Sequence, residues 1–426
     1  MTRISTIGVR HMLRAGTAAA LFAGVPAIAQ TETGQPSLSA SGRTFSVPAR
    51  EIELSVAADA TYDSNVLGGR VSTENDRGLE KEDLILRPRV EGTVALPAGP
   101  VQLSLSGLVG YDIYTRNDEL SSERINLRAS AAGGLPGCGA AVSAAYSRAQ
   151  NDLRDLSIVP GDIEASSVNV QTVSQIGATV YCGQSTGIRP MGLIDYRTSR
   201  NSNGRRRGSN VDNISYGGGL MYSNPVLGEL SAFFSKSEFN YPDADPISLA
   251  PFPDVDATSF GARFDRRLGA RLQFNGQVTY VRVRVDGIAG NAYSGLNWDI
   301  GVSLRVSDNL QVSAATSRQI NASAGFRSNF VRSQVYMADI DYAFTQRLHL
   351  GVSATRQTRD YDTSNLVPSG LDVTEDKYTR ISGQLRFQRF RRLGFTLSAG
   401  YEKSDSSVSE YSYDGFTASV GARLLL

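Results

Sequence analysis

The last segment of the chain, residues 393–426, alternates between apolar and polar side chains over two long stretches. In the second stretch, Phe416, Ala418, Val420, Ala422, Leu424 and Leu426 are separated by Thr417, Ser419, Gly421 and Arg423. A period of two indicates a β-strand, because successive side chains of a strand point to opposite faces. One face is apolar and the other polar, which is what a strand of a membrane-spanning barrel requires.

The same alternation recurs along the chain from residue 51 onwards. Period-two segments lie near 51–62, 84–96, 101–113, 123–135, 138–150, 166–182, 187–198, 213–224, 228–241, 257–268, 271–285, 291–306, 309–319, 332–344, 347–359, 378–390, 393–405 and 412–426. Short turns and longer loops alternate between them, as in outer-membrane barrels with periplasmic turns and extracellular loops. The sequence therefore predicts an all-β fold, a transmembrane antiparallel up-and-down β-barrel of about 18 strands.

Sixteen strands are the alternative, because the pattern is irregular in two segments and the loop near Ile288 is unusually short. Residues 228–241 alternate poorly, and within 271–285 the apolar parity changes from Val278 and Tyr280 to Val281 and Val283. Either a β-bulge or emergence of the strand above the membrane accounts for such a change.

The first residues resemble a secretory signal. Basic residues precede an apolar stretch, 15–28, and the small-x-small triplet 27–29 follows the pattern of a cleavage site. A transmembrane anchor is the alternative, although Gly24 and Pro26 interrupt the apolar run. We expect a signal peptide at 1–29, a flexible periplasmic segment at 30–50 and an outer-membrane barrel at 51–426, in the outer membrane of a Gram-negative bacterium.

The charge composition limits the classes of partner. The formal net charge is +1, so nucleic acid is not expected as a partner. Of the 43 basic residues only Lys81, Lys236, Lys377 and Lys403 are lysines. Arginine suits ion pairs in a lumen and phosphates of lipopolysaccharide, although a codon bias would produce the same ratio.

Two cysteines lie symmetrically about a predicted hairpin. Cys138 opens one strand and Cys182 closes the next, both with the parity of outward residues. A disulfide near the short turns is predicted, with two free thiols as the alternative.

Neither a metal nor a cofactor is expected, because two cysteines and His349 cannot build a closed site. His349 points inward without catalytic partners, so we predict no enzymatic activity.

Charged residues of inward parity are the candidate lumen lining. They are Arg87, Arg89, Arg124, Arg128, Arg189, Arg197, Arg263, Asp265, Asp299, Arg305, Arg380 and Arg386. Together with other inward acids they form either a self-neutralising ladder or a basic stripe that guides an anionic solute or sugar polymer.

The cluster Arg205, Arg206 and Arg207 lies in a predicted outer loop. It is either a solvated loop or a contact for lipopolysaccharide phosphates. Outer-membrane lipids, lipopolysaccharide and the barrel-assembly machinery are the expected partners.

The first strand ends on Ala60, Thr61, Tyr62, Asp63, Ser64, Asn65 and Val66, which resembles the opening signature of the putative beta-barrel porin 2 family. The resemblance implies an outer-membrane barrel and, since such proteins are often found with exopolysaccharide loci, a part in polysaccharide export. Leu426 stands where outer-membrane barrels usually end on an aromatic residue.

Two functions are compatible with these patterns. The first is a porin-like channel that passes sugars or anionic solutes, or takes part in exopolysaccharide export together with its export components. The second is a non-conducting surface barrel that acts as an adhesin or scaffold.

Overall fold

The computed structural model describes residues 50–68, 79–135, 137–151, 168–184, 186–243, 254–285, 292–322, 330–361, 373–390 and 392–426. The predicted signal peptide at 1–29 and all but the last residue of the predicted segment at 30–50 lie outside the described residues. So do the centres of six long loops, near residues 72, 160, 249, 288, 326 and 369.

Eighteen strands form one sheet. They are β1 (Glu51–Asp63), β2 (Asp83–Ala98), β3 (Val101–Tyr114), β4 (Ser122–Leu135), β5 (Cys138–Gln150), β6 (Val170–Cys182), β7 (Gly187–Asn201), β8 (Val211–Asn224), β9 (Gly228–Asn240), β10 (Val255–Leu268), β11 (Leu272–Val285), β12 (Ala292–Arg305), β13 (Leu310–Ala322), β14 (Phe330–Ala343), β15 (Leu348–Tyr361), β16 (Glu375–Gln388), β17 (Leu393–Ser406) and β18 (Tyr413–Leu425). Three short 3-10 helices, Asp118–Leu120, Gly204–Ser209 and Ser409–Tyr411, lie in loops. Among the described residues, no helix has the length and apolar character needed to cross a bilayer.

The sheet closes on itself. Every strand pairs antiparallel with its neighbours in sequence, and β1 also pairs with β18 from Ser55 opposite Leu425 to Asp63 opposite Thr417. The predicted 18-stranded antiparallel barrel is confirmed, and the alternative of sixteen strands is wrong.

The segment that carries the family resemblance lies at this closing seam. Ser64 donates its backbone N–H to the Phe416 carbonyl at 3.0 Å, and its hydroxyl accepts from the Phe416 N–H at 2.7 Å. The Asn65 amide donates to the Asp414 carbonyl at 2.9 Å. These bonds continue the β1–β18 ladder into the loop, so the signature residues hold the first and last strands together at the long-loop end.

The outward face carries a wide apolar band. Ile52, Leu54 and Val56 on β1 are exposed, as are apolar residues of the same parity on the other strands. Exposed aromatic residues of this face lie at both ends of the band. Those towards the long-loop end include Tyr62, Tyr111, Tyr196, Tyr216, Tyr280, Tyr336, Phe260, Tyr401 and Phe416. Those at the short-turn end are Phe344, Phe387 and Phe395. Two aromatic girdles around an apolar band are the outer surface of a barrel that spans a bilayer.

The change of parity in β11 has a simple cause. β11 pairs without a bulge with β10 on one side and β12 on the other, so the bulge is the wrong explanation. Val281 and Val283 point inward and are almost fully buried, whereas Arg282 and Arg284 point outward and are exposed. Above the girdle the outward side becomes charged and the inward side apolar, as expected for a strand that continues beyond the lipid.

Two glycines in the middle of β8 allow a close approach to β9. A Cβ on Gly217 would lie 2.3 Å from the Phe234 carbonyl oxygen, and one on Gly219 would lie 2.2 Å from the Ala232 carbonyl oxygen. Neither oxygen belongs to a flexible side-chain end, so the backbones themselves would have to separate. This packing accounts for the glycine run that interrupts the alternation of the strand.

Replacement of Gly219 by Ala is therefore expected to destabilise the barrel by about 1–3 kcal/mol, the usual cost of overpacking. Gly383→Ala is the matched control, because a Cβ there has nothing within 4 Å. The measurement is the urea midpoint of the heat-modifiable folded form in detergent. Equal midpoints for the two variants would contradict the close-approach argument.

Candidate functional site

The inward face of the barrel is the candidate site, and the strand register defines it. Residues that lie opposite each other on paired strands point to the same face. Asp59 on β1 lies opposite Arg87 on β2 and Gly421 on β18, and Thr61 lies opposite Ile85. From these pairs the inward-facing residues can be assigned strand by strand around the ring. All twelve predicted lumen residues have this inward parity. They are Arg87, Arg89, Arg124, Arg128, Arg189, Arg197, Arg263, Asp265, Asp299, Arg305, Arg380 and Arg386.

The first group of lumen charges lies on β1 to β4. Arg89 contacts both Asp59, through Nη1, and Glu91, through Nε at 2.5 Å. Asp112 lies between two arginines, 3.5 Å from Arg87 and 3.6 Å from Arg124. Arg87, Arg89 and Arg124 therefore each have an acidic neighbour on the wall, which is the arrangement of a self-neutralising ladder.

Arg423 extends this group across the closing strand. Its guanidinium lies 3.0 Å from Glu53 and 3.7 Å from Glu91, and it donates to the Ser55 hydroxyl at 2.9 Å. Its inward parity was visible in the terminal alternation, but its partners on β1 and β2 follow only from closure of the ring.

A second set of charges lies on β10 to β16. Arg263 pairs with Asp265 at 2.6 Å, and Arg386 pairs with Asp341 at 2.9 Å. Asp299 is inward on β12, opposite Gln277 of β11. These contacts hold one arginine side chain against an acid on its own strand and the other against an acid two strands away.

The most enclosed ion pair was missed by the sequence pattern. Asp376 is fully buried, accepts from Arg359 at 2.7 Å and receives the Ser404 hydroxyl at 2.8 Å. Tyr378 donates its hydroxyl to Glu402 at 3.1 Å beside it. The alternation indicated a strand only from residue 378, whereas β16 begins at Glu375. The signal available in the sequence was the polar stretch immediately before the apolar alternation of β16, which contains Asp376.

Arg189 lies in a pocket near the short-turn end. Its side chain is almost fully buried, with the guanidinium carbon 5.3 Å from the Tyr181 ring centre and Nη2 3.8 Å from Glu229. The Tyr181 ring in turn covers Gly139, where a Cβ would lie 2.3 Å from the ring. The Arg189 side chain therefore contributes mainly to packing between β6, β7 and β9, and less to the lining of open space.

The remaining predicted arginines differ in their surroundings. Arg197 lies two residues from Asp195, whose carboxylate accepts from Gln175 at 2.9 Å. Arg128, Arg305 and Arg380 form no ion pair with the residues that the structure describes, and Arg128 is exposed to the lumen at mid-height. The wall thus combines paired charges with exposed cations, namely Arg128 and Arg305.

Hydroxyl groups fill much of the space between the charges. Cross-strand serine pairs lie within hydrogen-bond distance at 2.6–2.8 Å, namely Ser104 with Ser130, Ser215 with Ser237, Ser235 with Ser259, Ser353 with Ser382 and Ser398 with Ser419. Small hydroxyl side chains satisfy one another along the wall and leave room in the lumen.

An apolar cluster lies inside the long-loop end of β8 to β14. It consists of Val211, Phe239, Tyr241, Val255, Val281, Val283 and Ile320, with Ala257, Tyr293 and Phe330 packed against it. Burial raises the pKa of Tyr241, which lies in the loop after β9. The parity change at Val281 was its only sign in the sequence.

The other candidate residues lie away from the lumen charges. Cys138 and Cys182 are directly opposite in register on the outward face, with Cα atoms 4.0 Å apart, and are joined as a disulfide.

Arg206 and Arg207 belong to the 3-10 helix Gly204–Ser209 at the long-loop end, as does the backbone of Arg205. Their contact with lipopolysaccharide stays a prediction. His349 faces inward opposite Arg386. No cluster of metal-ligating side chains occurs in the described ranges.

With eighteen closed strands and a charged inner wall, the chain can be compared with known proteins. Residues 254–425 match the family model described as "Putative beta-barrel porin 2". The predicted resemblance is confirmed, over β10 to β18 rather than at the signature segment 60–66.

Solved structures of similar fold include proteins of Pseudomonas aeruginosa and Acinetobacter baumannii. Pseudomonas aeruginosa OccK2 (OpdF) in complex with glucuronate is 12% identical, with a TM-score of 0.46, and the match covers 88% of this chain and 98% of that chain. P. aeruginosa OpdL is 12% identical with a TM-score of 0.45, again covering 88% and 98%. Acinetobacter baumannii OccAB3 is 11% identical with a TM-score of 0.44, covering 88% and 100%. The search of curated proteins found no match. The protein is a closed β-barrel that is porin-like over residues 254–425.

Loss of the Arg89 head group is expected to cost stability. Arg89→Gln leaves Asp59 and Glu91 together without their shared cation, and the Arg89 side chain is only 13% exposed. We expect a loss of about 1–3 kcal/mol. Arg148→Gln, which removes a lipid-side pair with Glu123 of about one-third exposure, is expected to cost about 0–1 kcal/mol. Urea unfolding in detergent compares the two, and a larger loss for Arg148→Gln would contradict the ladder.

Proposed function

We propose that this protein is a non-enzymatic channel that passes polar solutes, neutral and acidic sugars among them, passively across the outer membrane. The observation that carries the proposal is that polar residues on opposite inner walls of the barrel are exposed to water. Asn126, Arg128 and Ser130 are exposed on the inward face of β4, and Asp341 is exposed on the inward face of β14.

These two walls face each other across the ring. Around eighteen strands, β4 and β14 are separated by ten strand positions in one direction and eight in the other. Side chains that are exposed on opposite inner walls require space between them. Barrels with about 16–18 strands are wide enough to leave an aqueous channel.

The chemistry of the wall suits sugars. Paired serine hydroxyls and planar guanidinium groups can bind sugar hydroxyls, and arginines such as Arg128 can bind a carboxylate. Because most lumen charges are paired with opposite charges, we expect weak discrimination between neutral and acidic sugars. A role in exopolysaccharide export belongs to the same proposal and is supported by the family resemblance alone.

The membrane setting is proposed on the same basis. The barrel would reach a Gram-negative outer membrane by a secretory signal and the barrel-assembly machinery. Arg206 and Arg207, at the long-loop end, would then lie near lipopolysaccharide phosphates.

The alternative is a non-conducting surface barrel, and one observation favours it. On β8 to β14, the inward side of the long-loop end carries a packed apolar cluster, in which Val281 and Val283 are 0% and 1% exposed. A barrel sealed at that level would act as a scaffold or adhesin rather than as a channel.

Swelling of liposomes that carry the purified protein separates the two functions. We expect swelling in glucose and in glucuronate at comparable rates, and none in liposomes without protein. Discrete conductance steps in planar bilayers are the second measurement. If neither swelling nor conductance steps occur although heat-modifiable migration shows that the protein is folded, the channel function is excluded and the scaffold function remains.

The mid-height wall provides the variant test. Arg128→Glu reverses one exposed lumen charge and is expected to slow glucuronate entry relative to glucose, because like charges repel in a narrow lumen. Lys403→Glu, on the outward face, is the control with the same charge change. Equal effects of both variants would contradict passage through this lumen.

A further inference from the structure

The two halves of the barrel differ in charge at the short-turn end. From β2 to β8, the strand ends and turns at 93–104, 130–143, 177–193 and 219–227 contain one charged residue, Arg189. It is buried and lies 3.8 Å from Glu229. From β10 to β17, the turns contain Arg271, Arg347, Arg389 and Arg392, with Asp308 as the single acid. Positive charge is therefore concentrated on one half of this rim.

Two further arginines of this half lie on the inward face at the ends of strands. Arg267 of β10 lies opposite Gln273 of β11, and Arg305 of β12 lies opposite Gln311 of β13. All four side chains are exposed. Each of these arginines therefore has an exposed amide group beside it at the mouth of the barrel.

Three arginines of the turns continue the inward parity, because their carbonyls extend the strand ladders. The Arg271 carbonyl accepts from the Arg305 N–H at 2.7 Å, one position beyond the last pair of β11 and β12. The Arg347 carbonyl accepts from the Gln388 N–H at 2.8 Å, and the Arg392 carbonyl accepts from the Leu425 N–H at 2.7 Å. The five exposed arginines of inward parity form the basic rim, namely Arg267, Arg271, Arg305, Arg347 and Arg392.

The basic rim lacks counter-ions on the described part of the chain. None of its arginines forms an ion pair there, whereas Arg263, farther from the turn on β10, pairs with Asp265. Arg271 and Arg305 lie directly opposite each other, an arrangement in which like charges repel. An anion bound between them would offset this repulsion.

The length of the basic rim suits a chain of negative charges better than one small anion. Neighbouring strands are about 4.8 Å apart, so the arc from β10 to β17 extends over roughly 30 Å. A single carboxylate reaches only adjacent guanidinium groups, whereas successive carboxylates of one chain bind several and gain effective concentration. The amides of Gln273 and Gln311 can bind hydroxyl groups between the charges.

The opposite face of the wall distinguishes such a ligand from a lipid head group. Leu268 and Phe387 have outward parity at the same end of the barrel and are exposed apolar residues. The basic rim has the opposite parity, so its guanidinium groups are directed to the opening rather than to the lipid. A soluble ligand at the mouth of the lumen meets them directly.

We propose that the basic rim binds an acidic oligosaccharide at the short-turn mouth, with sugar carboxylates at the arginines and sugar hydroxyls at the neighbouring amides. The bound chain would enter the lumen from that side. This entry step rests on the channel function proposed above, whereas binding to the basic rim does not require an open lumen.

Fluorescence anisotropy of a labelled tetragalacturonate measures its binding to the purified protein in a neutral detergent. We expect saturable binding that weakens as the NaCl concentration rises, because salt screens exposed charges. Labelled cellotetraose, a neutral chain of the same length, is expected to bind at least about tenfold more weakly.

Paired variants locate the binding on the barrel. Arg271→Gln with Arg305→Gln removes the opposed pair and is expected to weaken tetragalacturonate binding by about tenfold. Loss of two charges that repel each other is not expected to impair folding. Arg282→Gln with Arg284→Gln removes two exposed outward arginines at the long-loop end and is expected to leave the binding unchanged. Heat-modifiable migration verifies that each variant is folded.

Three outcomes would overturn the proposal. The first is equal affinity for tetragalacturonate and cellotetraose, and the second is equal weakening by the two double variants. The third is displacement of tetragalacturonate by tetra-aspartate or phosphatidylglycerol at a lower concentration than by unlabelled tetragalacturonate, which would assign the basic rim to an acidic protein or to lipid. Liposome swelling is measured separately. Swelling without binding would refute the basic rim alone, and binding without swelling would refute the channel alone.

Discussion

Closure of the hydrogen-bonded ring is the constraint on which the rest of the structure depends. No water is present in the bilayer core to satisfy backbone groups, so a sheet can span it only without free edges. Pairing of β1 with β18 removes both edges, and the bonds of Ser64 and Asn65 extend that pairing into the loop. Once the ring is closed, each side chain is directed either to lipid or to the lumen.

The two faces then solve different physical problems. The outward face needs apolar and aromatic side chains, and it becomes charged only above the girdle, as at Arg282 and Arg284. The inward face can hold charge because opposite charges lie on neighbouring strands, as Asp112 does between Arg87 and Arg124. Ile320 is an exception to this division, because it has outward parity on β13 and packs with the inward-facing Val281 and Val283.

Sequence patterns were sufficient for much of the lumen and failed at identifiable places. Alternation alone placed Arg87, Arg263 and Arg386 on the inward face, because parity propagates along a strand without knowledge of its neighbours. It did not show that Arg189 is buried under Tyr181 or that Asp376 pairs with Arg359, since both depend on adjacent strands. The apolar cluster was visible only as an irregularity at Val281, where the environment on each side of the wall changes.

By itself, the sequence determined the barrel fold, the alternating turns and loops, and the face of most side chains. A period of two is a local property, so it needs no information about contacts distant in the chain. Only the tertiary structure decided which charges meet and where the lumen is polar or apolar. Those features depend on the register between strands and on the curvature of the closed ring, which bring together residues as far apart in sequence as Glu53 and Arg423.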